Sequence, residues 1–174
     1  MAKPTEDRSE RIETEWRRER PDLDPSSIGV VTRVWELAKI FGDRRRRLLA
    51  EQHVDSALMD LLGLLRRSGP PHALTTRELT ERAMVSAGAI SQRLTRAENR
   101  GWVRRVPGPA RQVVVELTDE GRETVDRVAG LIFAADDEAL AGLSDRQRRD
   151  LAALLRRLTL TLGSGDPIPH VGGE

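Results

Sequence analysis

Residues 75–118 constrain the fold more tightly than any other part of the chain, because a cap or a stop stands at nearly every junction. Thr75 and Glu78 have the S/T-x-x-E spacing of a capping box, which predicts a helix start. Leu79 and Ala83 give that helix its apolar side. Met84–Val85 reads as a tight turn, and Ser86 offers an N-cap oxygen to a second helix. Along it Ala87, Ile90, Leu94 and Ala97 recur at helical spacing and are expected to face the core. Gly101 stops that helix as the residue after its C-cap. Trp102–Val106 and Gln112–Leu117 read as two strands of a ribbon, with PGPAR, 107–111, as its tip.

The other side of the second helix is unusual. At about 100° per residue, Gly88, Gln92, Thr95, Arg96 and Asn99 fall opposite the apolar stripe, with Ser86 at its start. No large apolar residue interrupts them. Small side chains allow close approach, while Gln and Arg can read base edges in a major groove. The net charge of +1 hides a division. Residues 85–111 carry six arginines against one acid, net +5, and residues 118–140 carry net −5. A basic lobe beside an acidic one suits a protein that must orient on phosphate, and Arg111 at the ribbon tip belongs to the basic lobe.

These residues resemble the winged helix-turn-helix of the MarR family of bacterial transcription regulators. The likeness is carried by LTTRELTERAMVSAGAISQRLTRAENRGWVRRV, from Leu74, and by the strand exit VELTDEGRETV, whose L-T-x-E-G-R is distinctive; it extends over roughly residues 28–160. The resemblance implies a mainly α fold with a small β-wing, dimeric through its N- and C-terminal helices. It implies a double-stranded operator, bound through Ser86, Gly88, Gln92, Thr95, Arg96, Asn99 and Arg111. The wing tip departs from the family pattern: it is short and keeps only Arg111, where relatives usually carry acids and paired arginines.

The rest of the chain fits that plan. Residues 1–24 read as an extension with a short helix over about 11–20 carrying Trp16. A MarR-like domain is expected over 25–162, with a DNA-binding lobe at 55–117, dimerisation helices at 25–52 and 118–162, and a disordered tail at 163–174. The first long helix has Ile28, Val31, Val34, Trp35, Ala38 and Phe41 as its stripe. Its arginine run, 44–47, reads as a solvated face, a dimer salt-bridge cluster or a flanking phosphate contact, the first being favoured. Asp55 or Ser56 starts the next helix. Thr118 caps a long one, and Ser144 and Gln147 form a capping box for the last, with Leu151, Leu154, Leu155 and Leu158.

The extension WRRERPDLDP resembles the urate-responsive branch of the family. That branch is recognised by a Trp in an extra N-terminal helix, an Asp in the helix before the helix-turn-helix, an Arg on the reading helix and an Arg at the start of the wing. Trp16, Asp60, Arg93 and Arg105 match in type and order. The resemblance implies that these four bind a small anionic effector, urate or similar. Arg93 lies about 60° from Ile90, on the flank of the apolar stripe. Asp60 and Arg105 are expected to pair, and a planar anion would compete for the guanidiniums. Tricarboxylates are an alternative ligand class in a similar cleft.

Other classes find little support. There is no cysteine, and His53, His72 and His170 lack metal-ligand spacing. No Gly-rich phosphate loop or nucleophile–histidine arrangement is present, so neither an enzyme nor a cofactor is expected. No run approaches the roughly 20 apolar residues of a membrane span, and no signal region opens the chain, so a cytoplasmic location is expected. The competing readings are a ligand-responsive repressor and an architectural DNA binder without an effector; a protein-interaction module has no use for an exposed Gln92 and Arg96.

Overall fold

A computed structural model describes residues 6–109 and 112–163. Arg111, the expected tip contact, and the expected tail beyond Gly163 lie outside the described residues. The elements are α1 (Arg8–Glu19), α2 (Ile28–Glu51), α3 (Ser56–Arg67), β1 (Ala73–Thr75), α4 (Thr76–Ala83), α5 (Ala87–Asn99), β2 (Val103–Pro107), β3 (Val113–Leu117), α6 (Asp119–Ala139) and α7 (Asp145–Leu162). Among the described residues the protein is mainly helical with one small antiparallel sheet. Among the described residues no helix is long and apolar enough to cross a membrane.

The chain divides into two compact units, 1–44 and 45–174. In the first, Asp7 and Glu10 form a capping box that starts α1. Arg33 of α2 donates to Asp7 through Nε at 2.7 Å and Nη2 at 3.1 Å, tying the two helices together. That guanidinium holds the Asp7 carboxyl below the usual carboxylate range. The expected stripe of α2 is present but exposed: Val31 and Val34 face solvent, and Trp35 is 74% exposed.

In the second unit, Leu58, Leu61, Leu62 and Leu65 of α3 meet Leu79, Ile90, Leu94, Val115, Val125 and Val128 in one core. Arg66 of α3 clamps Asp126 of α6 with two bonds, at 2.7 and 3.1 Å. The sheet has the order β1-β3-β2 rather than the two-stranded ribbon expected. Its extra strand pairs Leu74 with Val115, and at three residues it is too short to carry a pattern of its own. Ala87, expected in the core, is exposed, because it opens α5 beyond the core edge; Ile90, Leu94 and Ala97 are buried as expected. α7 starts at the Ser144–Gln147 capping box and buries none of its residues. Its Leu154 is 62% exposed, and Phe133 on α6 is 66% exposed.

Four residues join α5 to the wing, β2 and β3, and to α6. Gly101 adopts φ +70°, and the amides of Gly101 and Trp102 donate to the carbonyls of Glu98 (2.8 Å) and Ala97 (3.0 Å), a Schellman ending. The Thr118 hydroxyl donates to the Gly101 carbonyl at 2.6 Å and accepts from the Gly121 amide at 3.0 Å. The Thr118 amide donates to the Trp102 carbonyl at 3.1 Å. Gly121 is required by this approach: a Cβ there would stand 1.9 Å from the Trp102 carbonyl oxygen. Gly121→Ala is therefore expected to cost about 2–3 kcal/mol by overpacking against backbone, and to lower Tm by roughly 8 °C in a thermal melt.

Candidate nucleic-acid interface

The helix-turn-helix is set by local chemistry. Thr75 Oγ1 accepts from the Glu78 amide at 3.2 Å, and Glu78 Oε2 accepts from the Thr75 amide at 2.8 Å and hydroxyl at 2.7 Å. Those bonds, the backbone one first, hold the Glu78 carboxyl below its ordinary range. Met84 takes a left-handed turn at φ 51°, and Ser86 caps α5 by accepting from Ala89. The helix is thereby aimed from both ends: Ser86 fixes its start and Gly101 its stop.

The face expected to read DNA is exposed along its length. Ser86, Gly88, Gln92, Thr95, Arg96 and Asn99 all lie at the surface. Ser91, Gln92, Thr95 and Arg96 line a shallow concavity. Arg96 Nη1 donates to Asp55 Oδ2 at 2.7 Å, a partner 41 positions away whose spacing marks it only as a helix start. Arg100 donates from Nη1 to the His53 carbonyl at 2.7 Å, and its guanidinium lies 4.9 Å from the centre of the Trp102 ring. Arg46, from the arginine run, lines a groove with Asp55, Arg96 and Arg100.

Of the four residues matched to the urate-responsive branch, Asp60 and Arg105 do not form the pair expected of them. Arg105 pairs with Glu98 at 3.2 Å, and Asp60 with Arg45 at 3.8 Å, so the expected Asp60–Arg105 pair gives way to nearer partners. Glu98 lies about 80° to one side of Ile90 around α5 and Arg93 about 60° to the other. The two arginines thus approach opposite flanks of the buried stripe. Arg93 is half-buried and has no acid partner among the described residues. Arg105 lines a cleft of about 540 Å³ with Ile90 and Leu94 and with the hydroxyl-bearing Thr76, Thr80 and Ser91; Arg77, Glu81 and Ala87 also line it. Trp16 lies on α1, in the other unit, and is 48% exposed. Among the described residues no cluster of His, Asp and Glu is arranged to hold a metal.

Comparison with known proteins adds to this geometry. A family profile described as MarR family covers residues 59–112. The HTH-type transcriptional regulator PecS of Dickeya dadantii is 30% identical over 149 residues, which span 84% of this chain and 90% of that protein. A MarR family regulator from Streptomyces coelicolor, solved in complex with DNA, matches with TM-score 0.66 at 27% identity, over 80% of this chain and 90% of that one. Wild-type MarR from E. coli in its apo form matches with TM-score 0.60 at 25% identity, over 74% and 96% of the two chains.

Proposed function

The chain belongs to the MarR family of transcriptional regulators, and from that premise we propose that it is a homodimeric repressor released from a pseudo-palindromic operator by a small planar anion. The observation that carries the DNA reading is the exposed face of α5, where Gly88, Gln92, Thr95, Arg96 and Asn99 all lie at the surface. Gln92 and Arg96 read bases; Ser86, Thr95 and Asn99 support the fit; Arg111 contacts phosphate. Arg96→Ala is expected to cost about 1–3 kcal/mol and to relax sequence preference, whereas Arg111→Ala weakens every duplex more evenly and flattens the salt dependence. Affinity measured against selected and scrambled duplexes across a salt series checks this; an Arg96→Ala protein unchanged in both respects contradicts the face assignment.

The exposed apolar side chains of α2, α6 and α7 support self-association. A polar, charged chain does not leave Trp35, Phe133 and Leu154 to water without cost. The dimer buries residues from about 25–45 and 125–162 and sets two reading helices roughly one turn of DNA, about 10 bp, apart. Sedimentation at micromolar concentration should give a dimer, and Leu154→Glu should shift it toward monomer; a wild-type monomer under those conditions contradicts the assembly.

The effector reading rests on the Arg105 cleft. Its apolar side chains, its hydroxyls and the Arg105 guanidinium are of the kind a planar anion would use, and its volume is of the size small ligands fill. Arg93, Asp60 and Trp16 enter through the resemblance to the urate-responsive branch. An anion can shift the equilibrium only by its differential affinity for the two states, so it must favour the arrangement that does not fit DNA. Titrating operator complexes with urate should release DNA from the wild type, with release largely lost in Arg105→Ala, Arg93→Ala and Trp16→Ala. Release undiminished in all three contradicts the site, and no release from the wild type favours a DNA binder without this effector.

A further inference from the structure

We propose that Asp55 is a specificity-determining residue for DNA: its carboxylate holds Arg96 in a base-reading orientation and off the phosphates. The proposal rests on the reading that α5 enters the major groove. Asp55 is itself fixed, because its Oδ1 accepts from the Leu58 amide at 2.9 Å as the N-cap of α3. The other oxygen, Oδ2, receives Arg96 Nη1 at 2.7 Å. One side chain therefore does two things, and the helix start makes it a rigid post.

Arg96 stands where two surfaces meet. It lines the concavity that holds Ser91, Gln92 and Thr95, and also the larger groove, about 770 Å³, that holds Arg46 and Arg100. Asp55 is the one acid among the residues lining that groove. An acid there works against phosphate affinity, and it adds little to folding: the paired side chains are 50% and 45% exposed, and exposed pairs contribute little. Its effect is on geometry. A guanidinium has five donors in a planar fork, so one bond to Asp55 leaves enough to meet a guanine edge with two. Without that bond the long side chain swings to the nearest phosphate, an attraction that carries no sequence information. Arg100 is positioned separately, by the His53 carbonyl and the Trp102 ring.

The test uses the full chain with Asp55→Asn and Asp55→Ser, both good N-caps, so that the start of α3 is preserved and thermal stability serves as the control. The readout is the ratio of affinity for duplexes selected by the wild type from a random pool to affinity for a scrambled duplex, over a salt series. Both variants should lose about tenfold in that ratio, the share of one good bidentate base contact. Binding to the scrambled duplex should tighten and the salt slope steepen by about one, as a released arginine finds a phosphate. In an Arg96→Ala background, Asp55→Asn should change the ratio no further. An unchanged ratio in both well-folded variants overturns the proposal, and so does an equal loss in the Arg96→Ala background, which would mean that Asp55 acts without Arg96. A wild type that enriches no sequence at all instead overturns the DNA reading on which the proposal stands.

Discussion

The Trp102 carbonyl is the point through which α5, the wing and α6 are fixed to one another. The Thr118 amide donates to it, and the start of α6 comes so close that only a glycine fits at 121. The same corner holds the Gly101 carbonyl on the Thr118 hydroxyl and ends α5 with two backbone bonds. A helix whose last turn is fixed in this way cannot rotate independently of the wing or of the long helix that follows it. Rigidity here would serve the proposed recognition, because base edges must be met to within a fraction of an ångström. It would equally serve the proposed effector response, since a displacement at β2 or α6 would carry α5 with it as a body.

Local signals made much of this legible in the sequence. The capping boxes at Thr75 and Ser144, the caps at Ser86 and Thr118 and the stop at Gly101 each depend on residues within a few positions of one another, and each lies where expected. The pairing of β1 with β3 was not legible, because three residues show no alternation and their partner lies some forty positions on. Ala87 followed the right spacing but sits one turn outside the core. The ion pairs were the least legible of all. Asp60 and Arg105 have compatible charge, yet Arg45 and Glu98 reach them first, and nothing in charge or spacing ranks one surface partner over another. Asp55 could be recognised as a cap, but its bond to Arg96 depends on how α3 and α5 pack.

Two kinds of exposed surface are left by the fold, and they call for different partners. The face of α5 is polar, small-residued and flanked by arginines, which suits a hydrated, charged, grooved ligand. The outer sides of α2 and α7 are apolar, which suits a surface that excludes water. The proposed two-fold dimer on operator DNA would answer both, since the apolar faces would set the spacing at which the polar ones meet successive grooves. The acidic stretch of 118–140 lies outside α5 and the wing in sequence, which would keep repulsion away from the face proposed to approach phosphate.

In the proposed dimer, two copies of α5 enter successive major grooves on one side of a duplex. Hydroxyl-radical footprinting on a duplex selected by the protein measures this most directly. Two protected segments, about one helical turn or roughly 10 bp apart, are expected on one face of the DNA. A single protected segment, or uniform protection without phase, would contradict it.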